Sequence, residues 1–380
     1  MVYRRTSLEP GIPYAPYALL FLALAGCAPA APGLTGVELK AFVFEGSVPQ
    51  ALFDGFATET GATVKVETYG SNEELVAALR ARPAAYDLVM PSDYTVAALI
   101  AAGGLHPLDL GAIPNYGNIA PSFLSPYFDP GGRLQAAKGR GKTEKYSLPW
   151  LWGTTGILYD PAAITPPPTK WADLWSPNCA GRLVLLDDAR EMLGIALLVD
   201  GLSKNDTDPA HIDAAKAKVI QLAAGAVALD ANNPEQYFAN GQASVGAVFS
   251  GNAVLARRAN PSLQYVLPED GAGIWFDNLA IPAAAPHPDA AERLIDYLLR
   301  PSSGVAVIDA LPYSNPNEAA IAMLGKDDPA RWAVYTGDPA STPSMDSLAD
   351  AIPVKNIGRE AQALYEAAWV GVLATRGGGK

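Results

Sequence analysis

"TVKVETYGSNEELVAALRARPAAYDLVMPSDYTV", residues 63–96, reads as a strand, a helix and a second strand with tight punctuation between them. Thr63-Val64-Lys65-Val66 alternates as a strand with one buried face does. Ser71 stands three residues before Glu74, the spacing of a capping box, and Leu75, Val76, Ala78 and Leu79 continue at helical spacing. Tyr86-Asp87-Leu88-Val89-Met90 is short and apolar, which predicts a buried strand. A strand that reaches its neighbour through a helix pairs in parallel, so this stretch implies an α/β fold with helices covering the sheet.

The same rhythm extends in both directions. Residues 37–44 (VELKAFVF) predict a strand and residues 54–60 the end of a helix. Between about residues 107 and 145 the periodicity is lost among Pro, Gly, Asn and basic residues; it resumes at Tyr146-Ser147-Leu148-Pro149-Trp150. Residues 183–186 predict a strand, 188–198 a helix, and Asp208-Pro209 an N-cap followed by Pro at the first helical position. Residues 243–249 predict a strand, 289–299 a helix and 359–373 a closing helix. The chain has 380 residues, 49% hydrophobic and 17% charged, which excludes disorder and exceeds what one core organises, so two lobes are expected.

Arg4 and Arg5 precede the apolar residues 18–25 (ALLFLALA), too short to span a bilayer and suited to an export signal. Leu24-Ala25-Gly26-Cys27 resembles the lipobox of bacterial lipoproteins, in which the cysteine is lipidated and becomes the N-terminus. Residues 28–36 then read as a Pro/Gly/Ala spacer. Cys179 is the only other cysteine, so no disulfide is expected within the mature chain. The net charge of −12 disfavours nucleic acid and anionic ligands and favours cations.

Familiar catalytic signatures do not assemble. Residues 136–143 (AAKGRGKT) end like a phosphate-binding loop but carry Ala136 where the first glycine belongs, without a preceding strand or following helix, and read as a solvated basic loop. His106, His211 and His287 lack metal-ligand spacing, and no G-x-S-x-G elbow occurs. No metal or cofactor is expected.

Three stretches carry candidate binding residues. In LLDDARE, Asp188 and Glu191 stand at the N-cap and third position of a helix, where capping explains both; Asp187 is a third carboxylate for which capping has no use. In GIWFDNLAIP (residues 273–282) an extended backbone puts Trp275 and Asp277 on one face and Phe276 on the other. Ser92 and Tyr94 follow a buried strand, where loops of open α/β sheets meet ligands.

Taken together, YGSNEELVAAL, YDLVMPSDYTV, LPWLWGTTGILYD, WADLWSP, LLDDARE, WFDNLAIP and LPYSNPN resemble the spermidine/putrescine-binding proteins of bacterial ABC importers. They run in order from about residue 40 to residue 370. The resemblance implies a two-lobed periplasmic-binding-protein fold of class α/β, each lobe a mixed sheet flanked by helices, with ligand in the cleft. It implies a first lobe of residues 37–150 and 276–322 and a second of 151–275 and 323–375, with crossovers near 146–153, Asp277 and Asn317. It also implies that Phe44, Ser92, Tyr94, Asp188, Glu191, Phe249, Trp275, Asp277 and Tyr313 line the site. The partners it implies are a small polyamine, a membrane permease, the membrane through a lipid anchor only, and no nucleic acid; the protein would be a periplasmic or otherwise extracytoplasmic monomer without catalytic residues.

A polyamine is a string of ammonium groups joined by methylenes, so its site needs spaced carboxylates, expected from Asp277 and Glu191, between flat rings such as Trp275, Phe249 and Tyr94. In this reading the 187–191 acids both cap a helix and grip an amine. The chain departs from the family at Phe44-Glu45-Gly46-Ser47, where a Trp and, three residues on, a Tyr are common, at Phe249 and Ala231, and at Lys355, which takes the place of an amide. Glu45 and Lys355 are also expected at the site, where Lys355 would repel one ammonium unless Glu45 or another acid pairs with it. Two other readings are a receptor for a zwitterionic or modified amine whose carboxylate meets Lys355, and a secreted hydrolase using Asp188 and Glu191 as acid and base.

Overall fold

Ten strands make one connected mixed sheet whose middle two strands carry the chain between two separately packed halves. In the computed structural model, which describes residues 33–131, 144–344 and 346–377, these strands are β1 Glu38–Phe44, β2 Thr63–Tyr69, β3 Leu88–Val89, β4 Ser147–Tyr159, β5 Leu183–Leu185, β6 Ala226–Leu229, β7 Val245–Phe249, β8 Gln264–Val266, β9 Gly273–Ala280 and β10 Ile352–Pro353. Their order is β2-β1-β3-β9-β4-β7-β5-β6, with β10 on β9 and β8 on β4. β1 pairs with β2 and β3 in parallel, as the helical crossovers require, and β5 pairs with β6 and β7 in parallel. The residues of the export signal, Cys27, and the basic 136–143 loop lie outside the described residues.

β4 and β9 are the antiparallel pair on which both halves are built. All thirteen residues of β4 are buried, and the strand is mostly apolar, as one covered on both faces needs, with Ser147, Thr154 and Thr155 its polar members. Ser147, Leu148 and Pro149 face Ala280, Leu279 and Asn278 of β9; after a bulge between Pro149 and Leu151, residues Thr155 to Tyr159 pair with β7 on the other edge. One end of the strand therefore belongs to a core of Leu39, Phe53, Phe56, Leu88, Leu148, Leu279 and Leu294. Its other end belongs to a core of Ile157, Trp171, Leu185, Leu193, Val245, Tyr365 and Trp369.

The local signals behave as the sequence predicts. Ser71 accepts a hydrogen bond from the Glu74 amide at 3.2 Å and opens the helix Asn72–Ala81. Asp208 caps the helix Pro209–Ala224. The strand expected over 86–90 is shorter, reduced to β3, because Pro91 removes a donor at once and Ser92 begins the helix Asp93–Ala101. In the closing portion, the helices Glu318–Asp327 and Pro329–Gly337 pack through Leu324 and Tyr335 onto Ile308 of the helix Pro301–Ala310, whereas Arg359–Gly377 packs through Tyr365, Ala368 and Trp369 in the core with Ile157 and Trp171.

At the entrance to β4 a buried ion pair fixes the first half. Asp129 is 1% exposed and Lys145 3%, with Nζ 3.2 Å from the Asp129 carboxylate and 2.8 Å from its carbonyl. The same carboxylate oxygen accepts from the amides of Tyr146 and Ser147 and from the Ser147 hydroxyl at 2.8–3.1 Å. Desolvation pulls the Lys145 ammonium below its usual range, so Asp129 is what keeps it charged. Asp129→Ala is expected to cost about 3–5 kcal/mol, because it strands a buried ammonium and the donors around it. Urea unfolding checks this; a loss under about 1 kcal/mol would contradict it.

Candidate functional site

The face of β9 that carries residues 273, 275 and 277 looks toward the junction of the two halves. Trp275 meets Phe249, at the end of β7, with ring centroids 5.6 Å apart, and Tyr313 at 5.3 Å, both edge to face. Phe276, one residue on, turns to the opposite side and stacks with Trp152. Two glycines make room for this aromatic wall. Gly153 lies opposite Trp275 in the ladder, where a Cβ would lie 2.5 Å from the indole, and a Cβ on Gly251 would collide with the Tyr313 ring. The Trp275 Nε1 is buried with no hydrogen-bond partner.

Asp277 is held from the first half. Ser92, the N-cap of the helix Asp93–Ala101, donates its hydroxyl to Asp277 Oδ1 at 2.7 Å, and Ser92 is itself oriented by Asn72, whose Nδ2 donates to the Ser92 hydroxyl at 3.0 Å. Asp93, fully buried, accepts from the Tyr94 amide and from the Tyr127 hydroxyl, each at 2.8 Å. Burial pushes both Asp93 and Asp277 up to about 7; for Asp93 the Asp277 and Glu191 charges add to the rise, while the Ser92 hydroxyl draws Asp277 back down. Asp188 caps the helix Ala189–Val199, accepting from the Glu191 amide at 2.9 Å, and is raised by burial and by the Glu191 charge. These acids sense one another, and ionising any of them in the empty site is costly.

Two cations already stand among them. Glu191, 4% exposed, receives both its oxygens' contacts from Lys204 Nζ, at 3.0 and 2.9 Å, and Lys204 is 1% exposed. Arg190, 2% exposed, lies over the rings of Tyr94 and Tyr365, 5.5 and 4.8 Å from their centroids, and donates to Gln362, Asn205 and the Lys355 carbonyl. Gln362 in turn donates to Glu73 of the helix Asn72–Ala81 at 3.0 Å. Tyr94 and Glu73 belong to the first half and Arg190 and Gln362 to the second, so these contacts hold the halves against each other.

The structure therefore gathers Ser92, Tyr94, Asp188, Glu191, Phe249, Trp275, Asp277 and Tyr313 at the junction. Phe44 packs on Tyr69 at the end of β1, 4.4 Å between centroids. Glu45 and Lys355 are exposed, and no ion pair joins them; Lys355 enters the network through its backbone, its amide donating to Asn205. Asp187 accepts from Trp369 Nε1 at 2.8 Å, so the acid that capping leaves unexplained anchors the closing helix. Asp93, Arg190 and Lys204 escape sequence reading: Asp93 lies between Ser92 and Tyr94 as one more residue of a helix start, and Lys204 sits in a loop with no local signal. Among the described residues no group of His, Cys, Asp and Glu could hold a metal ion.

Residues 51–337 match the family model of bacterial extracellular solute-binding proteins. The spermidine/putrescine-binding periplasmic protein of Salmonella typhimurium is 35% identical over 84% of this chain and 86% of its own length, and its Escherichia coli counterpart 37% identical over 74% and 78%. Among solved structures, the spermidine/putrescine ABC transporter substrate-binding protein of Streptococcus pneumoniae superposes with a TM-score of 0.70 at 28% identity, covering 90% of this chain and 99% of that one. A Listeria monocytogenes ABC transporter protein provisionally assigned to spermidine/putrescine gives 0.80 at 28% identity, covering 88% and 98%. The two-lobed α/β architecture is thus shared with substrate-binding proteins of ABC importers.

The raised carboxyls set a stability window. Because Asp277 goes from an ordinary 3.8 to about 7 on folding, the folded state binds more protons between those values, and the ligand-free protein loses stability as pH rises through them. The melting temperature of Asp277→Asn minus that of the wild type is expected to be near zero at about pH 3, below both values, and to grow steadily more positive up to about pH 8. A difference flat with pH would contradict the assignment.

Proposed function

We propose, on the premise that this chain belongs to the bacterial extracellular solute-binding proteins, that it is the receptor of an ABC importer for a linear polyamine of the putrescine and spermidine class. The observation that carries this reading is the pairing, on one face of β9, of Trp275 in a wall of rings with Asp277, a carboxyl raised by desolvation and steered by Ser92. An ammonium entering there ionises Asp277 and recovers a charge-assisted hydrogen bond, while its methylenes lie on Trp275, Phe249 and Tyr313. Each aromatic face adds about 0.5–2 kcal/mol of attraction for a cation, more as water leaves.

Binding and closure are one event in this mechanism. The ligand bridges Asp277 and Ser92 to Asp188, and by neutralising the charge between the halves it strengthens the closed arrangement that the Arg190–Tyr94 and Gln362–Glu73 contacts already hold. We assign the first lobe to residues 37–150 and 276–337 and the second to 151–275 and the closing helix; the expected boundary at 322 moves because 323–337 pack on the helix Pro301–Ala310. Cys27 is the site of lipidation, which would anchor the receptor outside the cytoplasm beside its permease. Cargo delivery requires no chemistry, and the Asp188–Glu191 pair is poorly suited to hydrolysis, since Glu191 is occupied by Lys204 and Asp188 by the Glu191 amide.

The zwitterion reading loses its support with Lys355, whose side chain is exposed. Calorimetric titration of the mature protein tests the polyamine reading: putrescine or spermidine is expected to bind, and Asp277→Ala to weaken binding by about 2–5 kcal/mol, roughly 30-fold or more. Absence of heat and of any thermal shift with both amines at about millimolar concentration would overturn it.

A further inference from the structure

Lys204 is the one lysine whose ammonium reaches the lining of the candidate site among the described residues, and the chain makes room for it at two points. Its stem runs past Gly194 of the helix Ala189–Val199, where a Cβ would lie 2.6 Å from the Lys204 Cγ. Its ammonium ends over Gly273, where a Cβ would lie 2.8 Å from Nζ and equally close to Thr155. Gly273 is on the same face of β9 as Trp275 and Asp277, so the ammonium stands in line with the ring wall and the carboxylate. Four residues of strand separate Gly273 from Asp277, about 13 Å. At that end Glu191 is held bidentately by Lys204 in a pair nearly closed to water.

From this geometry, and resting on the polyamine reading above, we propose that Lys204 is a specificity-determining residue: a tethered ammonium that occupies the Glu191 end of the trough, so that the site takes a diamine rather than a longer triamine. The charge arithmetic is direct. With Glu191 matched internally, Asp93 engaged by the Tyr94 amide and the Tyr127 hydroxyl, and Arg190 held by rings and neutral acceptors rather than by an acid, Asp277 and Asp188 are left to meet ligand ammonium groups. A third ammonium would have to lie beside the Lys204 charge with no carboxylate of its own, which costs desolvation without return and adds like-charge repulsion. A diamine meets no such penalty.

Two measurements test this. On the wild-type protein, putrescine is expected to bind at least about tenfold tighter than spermidine. In Lys204→Met, whose folding is verified by its melting transition, Glu191 is released and the ratio of the spermidine to the putrescine dissociation constant should fall by about tenfold or more. The double variant Lys204→Met/Glu191→Gln removes both charges and should return that ratio to within about threefold of wild type, an outcome that a purely structural role for Lys204 would not produce. Spermidine binding to the wild type as tightly as putrescine overturns the proposal, as does a ratio unmoved in Lys204→Met. No binding of either amine to the wild type overturns the polyamine reading itself and the proposal with it.

Discussion

Negative charge that has lost its water must be matched, and the junction of this molecule is organised around that requirement. Asp93, Asp188, Glu191 and Asp277 converge where two packed halves meet, and each solves the problem differently. Glu191 has a permanent cation in Lys204; Asp93 has donors in Tyr127 and the Tyr94 amide; Asp188 takes a helix cap; Asp277 has a single hydroxyl and is left most in need of a partner. A site that is expensive when empty and neutral when filled favours cations and couples filling to closure.

The scaffold explains why the acids can be brought so near one another. β4 and β9 run antiparallel between two cores, and residues of alternate parity on β9 face different neighbours: Trp275 and Asp277 the junction, Phe276 the ring cluster around Trp152. Gly153 and Gly273 in the sheet, and Gly251 in the helix Ser250–Ala259, let large or charged side chains approach the backbone where a methyl group would block them. The aromatic wall and the tethered ammonium are therefore consequences of missing side chains as much as of those present.

Much of this was legible in the sequence where the determinants are local. The Ser71 and Asp208 caps, the strand–helix rhythm and the opposite facing of Trp275 and Phe276 follow from residues a few positions apart, and the colinear family stretches extend them to the cleft. What was not legible depends on distant packing. Asp187 is surplus charge by local rules, and its partner, the Trp369 indole, lies at the far end of the chain. Glu45 and Lys355, expected at the site from the resemblance, have exposed side chains with no ion pair between them. Lys204 has no signal at all, since nothing in its loop announces that two glycines from separate elements will receive it.

A crystal structure of the protein grown with putrescine tests the central claim most directly. The account predicts an amine nitrogen within hydrogen-bonding distance of the Asp277 carboxylate, methylenes against Trp275, and Lys204 still seated on Glu191. A ligand bound elsewhere, or Asp277 facing solvent with no shared space beside Trp275, would contradict it.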